Sequence, residues 1–266
     1  MTSKNGSGAR YSAAAVAAAL CLGLGPSPAV ATPFPSEIGD VVLEIEASNL
    51  LGRGTYQATF EQGIWDSKAH HYRWDLAQPI AIFDVRSGAP VATLLNATLD
   101  YLDDPRVNVS FQTQAGPAAT SFTITAAQVS FAAISPAMGR ASAAITVTDT
   151  EGNGALLTGL EPGSGGSYLA QYNGPVPVGT TFAEMIPSVM AFPGSSGAVS
   201  ANTPGGGGFL PIGATVTDIS SRFHFTLSAN DLASGTSNWE VVPGPSGVAL
   251  LVLGAAGLAR RRRVNR

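Results

Sequence analysis

Residues 106–112 read Arg-Val-Asn-Val-Ser-Phe-Gln, with apolar and polar side chains in strict alternation. Successive side chains of a β-strand point to opposite faces of its sheet, so Val107, Val109 and Phe111 share one face. An apolar face of this kind packs on a core, while the face with Asn108 and Ser110 meets water. The segment therefore predicts a half-buried strand of an antiparallel sheet.

Segments of similar composition lie on both sides of residues 106–112 and are separated by turn residues. The further predicted strands are residues 40–46, 54–60, 79–85, 90–100, 120–134, 140–149, 167–172, 180–186 and 215–227. No stretch has sustained helical periodicity with caps. Strands at this spacing predict an all-β fold, an antiparallel β-sandwich of the jelly-roll-like or Ig-like kind, over residues 32–240. The glycine-rich residues 193–208 are expected to form a long flexible loop, and a boundary before a final hairpin is the alternative.

The first 31 residues have the pattern of a secretory signal peptide. Lys4 and Arg10 form a positive start, residues 13–24 form an apolar stretch, and Ala29 and Ala31 form an A-x-A cleavage site. We expect the secretion machinery to export the chain and a signal peptidase to cut it after Ala31. The mature protein would then lie outside the cytoplasm.

Residues 241–266 combine a Pro/Gly break, a short apolar segment and a block of arginines. The break is a five-residue motif made of Val242, Pro243, Gly244, Pro245 and Ser246. An uncharged run over residues 248–259 predicts a short transmembrane helix, with Val248, Leu250, Leu251, Leu253 and Leu258 among its apolar residues. The positive block consists of Arg260, Arg261, Arg262 and Arg263. A block of this kind keeps its end of the helix in the cytoplasm.

This order of motif, short helix and arginines resembles the PEP-CTERM sorting signal of Gram-negative bacteria. The family's motif is Val-Pro-Glu-Pro, and Gly244 stands here in place of the glutamate. The resemblance implies that an exosortase-like membrane peptidase cuts at the motif. The protein would pass from an inner-membrane intermediate to the outer membrane, the cell surface or the extracellular matrix. A permanent anchor is the alternative, but a twelve-residue helix spans only about 18 Å of a core about 30 Å thick.

Composition narrows the classes of partner. Of the fourteen Lys and Arg residues, two belong to the signal peptide and five to the tail. Seven remain in the body against eighteen Asp and Glu, which gives a net charge of −11. An acidic body argues against nucleic acid as a partner. The single cysteine, Cys21, lies in the signal peptide, so no disulfide or thiolate metal site is expected in the mature chain.

Three aromatic residues, Trp65, Tyr72 and Trp74, lie near the adjacent histidines His70 and His71. One interpretation is an exposed patch that stacks on sugars, with an exopolysaccharide as the partner. The alternative is a loop whose rings pack on the edge of the sandwich while the histidines face water. Adjacent strand residues point apart, so two neighbouring histidines rarely chelate one metal. We predict no metal at this segment.

Asp149, Glu151, Asn153 and Gly154 are similar to the start of a calcium-binding loop. Such a loop needs a bidentate acid at its twelfth position, and Leu160 occupies that position here. A turn between two strands uses the same Asp, Asn and Gly residues. We therefore predict a turn rather than a calcium site.

The sequence contains no recognisable catalytic motif. It has no G-x-S-x-G, no H-E-x-x-H and no P-loop, and nothing in the spacing selects a serine partner for His224. No catalytic residue and no cofactor is predicted. The leading hypothesis is an exported, non-catalytic cell-surface or extracellular-matrix protein. The alternatives are a secreted carbohydrate-binding module and a secreted hydrolase.

Overall fold

A computed structural model describes residues 38–102 and 105–245. They form two nine-stranded antiparallel sheets, as the all-β prediction requires. Sheet A contains β1 (Val41–Asn49), β2 (Gly52–Thr59), β8 (Thr120–Ala126), β9 (Val129–Ile134), β11 (Ala155–Gly159), β12 (Tyr168–Tyr172), β13 (Thr180–Met185), β14 (Ser188–Ala191) and β17 (Val216–Leu227). Sheet B contains β3 (Ile64–Asp66), β4 (His71–Asp75), β5 (Ile80–Phe83), β6 (Pro90–Leu102), β7 (Arg106–Ala115), β10 (Ala137–Thr148), β15 (Ser196–Thr203), β16 (Leu210–Ile212) and β18 (Leu232–Pro243).

The strand order of the two sheets differs from their order in the chain. Sheet A runs β13-β12-β17-β8-β1-β2, with β9 and β11 also on β17 and β14 on β11. Sheet B runs β15-β10-β18-β7-β6-β4-β3, with β16 on β10 and β5 on β6. The last strand among the described residues, β18, therefore lies in the middle of sheet B.

The core lies between the two sheets and is built from the apolar residues of alternating strands. Phe111 of β7 meets Phe223 and Phe225 of β17 at ring centroid distances of 4.9 and 5.9 Å. Trp239 of β18 is fully buried, and its indole Nε1 donates a 3.0 Å hydrogen bond to the backbone oxygen of Gln171. Burying each such large side chain contributes about 1.5–3 kcal/mol. The sandwich is held by these contacts across its two layers.

The alternation seen in residues 106–112 is confirmed, since Val107, Val109 and Phe111 are buried. The predicted loop over residues 193–208 is wrong, because it contains strand β15. Eight residues of β15 pair with residues 141–148 of β10. The prediction failed because backbone pairing, rather than apolar side chains, forms this strand. The single predicted strand over residues 120–134 is two strands, β8 and β9, separated at Ala127.

The described chain begins and stops at the same end of the sandwich. Ile38 forms a bridge with Val129, and Pro243 pairs with Ala137 at the start of β10. We call this the terminal end. The opposite, distal end carries the β1–β2 turn, which contacts Val91 at the start of β6 through Asn49.

Within the described residues, no helix combines the length and the apolar character needed to span a bilayer. The signal peptide over residues 1–31 and the transmembrane helix predicted from residue 248 lie outside the described residues.

Candidate functional site

The predicted aromatic patch is not an exposed surface. Tyr72 is fully buried and Trp74 is 3% exposed, while Trp65 is half-buried on β3. Tyr72 stacks on Phe60 with a centroid distance of 4.6 Å. Both β4 rings point into the core because residues two apart on a strand share a face. The hypothesis that these three rings stack on sugars is therefore wrong.

The two adjacent histidines face different surroundings. His71 on β4 approaches Asp100 on β6, with 2.6 Å between Nε2 and Oδ2. His70 lies in the turn before β4, and its ring packs edge-on against Trp65 with 6.3 Å between the ring centroids. Among residues 38–102 and 105–245, no group of three His, Cys, Asp or Glu side chains could hold a metal ion.

The outer side of sheet B presents a regular array of polar side chains. We call it the polar face. Its members are Asn96 and Thr98 on β6, Asn108, Ser110 and Gln112 on β7, Ser234, Thr236 and Asn238 on β18, and Ser142 and Thr146 on β10. Neighbouring strands bring them into cross-strand rows, one of which joins Thr98, Ser110 and Thr236. The apolar neighbours of these residues fill the core on the other side.

Hydrogen bonds fix the orientation of the amides on the polar face. Asn238 Nδ2 donates to Asn108 Oδ1 at 2.6 Å, and Asn108 Nδ2 donates to Asp100 Oδ1 at 3.4 Å. Asp100 in turn binds His71. Each amide has two N–H donors and two acceptor lone pairs, so these bonds use only part of its capacity. The remaining donors and acceptors of these amides lie on the outer side of the sheet.

One edge of the polar face continues into a cavity of about 310 Å³. Arg140, Ser142, Asn202 and Asn238 line it, together with the glycine-rich turn after β15. Arg140 Nε donates a 2.9 Å hydrogen bond to Glu240. The guanidinium also lies 4.8 Å from the centre of the Phe209 ring. A guanidinium held in this way can donate to a hydroxyl or carboxylate that lies over the sheet.

Asp149 closes a turn, as predicted. Its Oδ1 accepts hydrogen bonds from the backbone N–H groups of Glu151 and Gly152, at 3.1 and 3.0 Å. Its Oδ2 accepts one from Gly194 N at 2.5 Å. These bonds, the one from Gly194 first, hold the pKa of the Asp149 carboxyl below its ordinary value. The carboxylate is therefore used to join two loops.

His224 does not form a catalytic triad with the acid that faces it. Its Nδ1 lies 3.8 Å from Glu161 Oε1. Glu161 is buried, and Arg222 donates to both of its oxygens at 2.6 and 2.7 Å. Burial of the ring lowers the pKa of His224, although the Glu161 charge opposes that effect. The cluster is a buried ion pair beside a neutral imidazole.

The C-terminal motif begins inside the sandwich. Val242 and Pro243 are the last residues of β18, and Gly244 N donates a 2.7 Å hydrogen bond to Pro136 O. Only the last part of the motif lies beyond the sheet. The other predicted site residues lie outside the described residues, namely Ala29, Ala31, Ser246, Val248, Leu250, Leu251, Leu253, Leu258, Arg260, Arg261, Arg262 and Arg263.

The polar face was not predicted from the sequence. Alternation showed that Asn108 and Ser110 face away from the core, but it could not show which strands lie beside β7. The aromatic patch did carry a usable signal. In the sequence of β4, Tyr72 and Trp74 alternate with His71, Arg73 and Asp75, which places both rings on one side.

Comparison with known proteins does not assign this chain to a family. No protein-family model matches its sequence, and a search of the curated proteins finds no match.

Proposed function

We propose that this chain is an exported, non-catalytic cell-surface or extracellular-matrix protein that binds an exopolysaccharide through the polar face. The observation that carries the proposal is the polar face itself. Rows of hydroxyl and amide groups cross β10, β18, β7 and β6 on one side of sheet B. Such groups can donate and accept hydrogen bonds with the many hydroxyls of a sugar chain.

The shape of the polar face fits an extended polymer better than a small molecule. Small ligands usually bind in concave, largely apolar cavities. A broad sheet face instead offers many weak and water-mediated bonds over a long contact. At one edge, the cavity beside Arg140 adds a cation to this surface. A hydroxyl-rich sugar unit suits that position, because Glu240 already neutralises the guanidinium.

Export and sorting are supported by the two ends of the sequence. The secretion machinery would recognise the signal peptide, and an exosortase-like membrane peptidase would recognise the tail. The protein would then move from the inner membrane to the outer membrane, the cell surface or the matrix of a Gram-negative bacterium. A jelly-roll-like or Ig-like strand order stays a prediction.

The position of β18 narrows the expected cleavage site. Val242 and Pro243 belong to the sheet, so a peptidase acting on the folded chain would cut at residues 244–246. Mass spectrometry of the mature protein tests this step. We expect a chain without Arg266, and an intact Arg266 on the mature, membrane-bound form would contradict processing.

Sedimentation with insoluble exopolysaccharide tests the binding surface. The double substitution Asn108→Ala and Asn238→Ala removes two oriented amides from the polar face. Each hydrogen bond contributes about 0.5–1.5 kcal/mol, so we expect binding to weaken by roughly tenfold or more. The matched control is Thr123→Ala with Thr125→Ala, two half-buried positions on the outer side of sheet A. If both double variants bind the polysaccharide equally well, the proposal that the polar face is the binding surface is wrong.

A further inference from the structure

A cluster of exposed apolar side chains lies at one corner of the distal end. Leu50 is 96% exposed and Val85 is 88% exposed. Leu51 and Phe83 beside them are 46% and 53% exposed. We call these four residues the apolar corner. Exposed apolar patches in stable proteins commonly mark surfaces that bind a partner or a membrane.

The two segments that form the apolar corner are joined by Asp84. Its Oδ1 accepts a 3.0 Å hydrogen bond from Arg53 N in the β1–β2 segment. Its Oδ2 accepts bonds from Arg86 N and Ser87 N, at 3.1 and 2.7 Å, in the turn after β5. These bonds, the one from Arg53 first, lower the pKa of Asp84 to about 2. The corner is therefore held in one conformation before it meets a partner.

Glycine at position 52 makes this junction possible. Gly52 has a φ of +150°, and a Cβ at this position would lie 2.3 Å from Asp84 Cγ. The carboxylate thus occupies the space that a side chain would fill. A second link, from Val85 N to Arg53 O at 3.3 Å, runs between the same segments. The apolar side chains project from a braced support rather than from a loose loop.

Two cations flank the apolar corner. Arg53 and Arg86 both line a cavity of about 680 Å³ beneath Leu50, Leu51 and Val85. Arg53 is paired with Glu46. The five other Lys and Arg residues of the described chain lie on elements away from this corner. The corner is thus close to neutral on an otherwise acidic body, because Arg53 and Arg86 balance Glu46 and Asp84 in the same cavity lining.

We propose that the apolar corner docks the protein onto the surface of a lipid bilayer. Leu50, Leu51, Phe83 and Val85 would enter the interfacial region, and Arg86 would contact the headgroup phosphates. A second copy of the chain suits the corner less well. Four side chains expose only a few hundred Å², whereas a stable protein interface buries roughly 800 Å² on each partner. A protruding tip enters a fluid interface without needing a complementary hollow.

The corner also lies opposite the exit of the C-terminal tail. β18 runs the length of sheet B to Pro243 at the terminal end, and twelve strand residues extend about 40 Å. Insertion of the predicted tail into a vesicle would therefore leave Leu50 in water. A probe on Leu50 can distinguish docking of the corner from anchoring by the tail.

The test uses an environment-sensitive fluorophore on the full chain. Cys21→Ser removes the natural thiol, and Leu50→Cys or Thr236→Cys then provides a single labelling site. With phosphatidylcholine vesicles, we expect a blue shift for the label at position 50 and none for the label on the polar face. Adding one-fifth anionic lipid should strengthen the response by no more than a few fold, because apolar burial drives it.

Two substitutions complete the test. Val85→Asp should raise the vesicle concentration for half-maximal shift by about tenfold, since it places a charge in the interface. Val178→Asp is the matched control, because Val178 is 81% exposed on the β12–β13 turn, away from the corner. No shift at position 50, or an equal effect of the two substitutions, would overturn the proposal. A shift that depends on protein concentration without vesicles would indicate self-association and would overturn it as well.

Discussion

Replacing Gly52 by alanine should destabilise this protein more than the same change at Gly88. Gly52 adopts a φ of +150°, which L-residues rarely tolerate. An alanine there would carry backbone strain of about 1–3 kcal/mol. Its Cβ would also lie 2.4 Å from Asp84 Oδ1, so the carboxylate would have to move.

Moving Asp84 would break or stretch the bonds that join the two corner segments. A hydrogen bond to a charged group contributes about 1.5–3 kcal/mol, and the bond from Arg53 N is the first to be lost. Together with the strain, we expect Gly52→Ala to lower the free energy of unfolding by about 3–5 kcal/mol. For a domain of this size, that is a fall in melting temperature of about 10 °C.

Gly88→Ala provides the control within the same corner. Gly88 has a φ of +69°, but no atom lies within 4 Å of the position of its Cβ. Gly88→Ala should therefore lower the free energy of unfolding only by the backbone strain, about 1–2 kcal/mol. Urea unfolding of both variants, and of Gly52→Ala in an Asp84→Ala background, measures the difference. If the two glycine substitutions destabilise equally, or if Gly52→Ala is as harmful without the carboxylate, the proposed steric role of Asp84 is wrong.

Two other measurements follow from the buried polar groups. Burial lowers the pKa of His224, so the folded state resists protonation of this ring. The melting temperature should therefore fall as the pH drops below the unfolded pKa of about 6.5. This fall should be smaller in His224→Gln. Because both Asp149 oxygens accept backbone hydrogen bonds, millimolar calcium should not change the melting temperature. At a calcium concentration 100 times its dissociation constant, a specific site would add about 2.7 kcal/mol to the free energy of unfolding. A stabilisation of that size that disappears in Asp149→Ala would contradict the prediction that this segment is only a turn.

Local side-chain patterns were sufficient to predict the fold class and most of the strands with strong alternation. They missed the short strands β3, β4, β11, β14 and β16. They also failed for β15 and β18, whose sequences are rich in Ser, Gly, Ala and Thr. Backbone pairing with β10 specifies both strands, and that pairing joins residues far apart in the chain. The core tryptophan Trp239 lies in one of the strands that were missed.

The polar face and the apolar corner both depend on contacts between distant segments. Asn108 and Asn238 are 130 residues apart and meet only because β18 lies beside β7. Arg53 and Asp84 are 31 residues apart and are joined by a hydrogen bond from Arg53 N to the Asp84 carboxylate. No local pattern reports such pairings, so the sequence could identify the residue types but not the surfaces that they form.

The central place of β18 determines when the domain can complete its fold. β7 and β10 both precede it in the chain, and each must wait with an unpaired edge until residues 232–243 arrive between them. A chain that crosses a membrane from its N-terminus delivers this strand last. Sheet B would then remain in two separate halves throughout translocation and close only as its final strand emerges. The sandwich would therefore close while the tail that follows Pro243 still lies in the membrane.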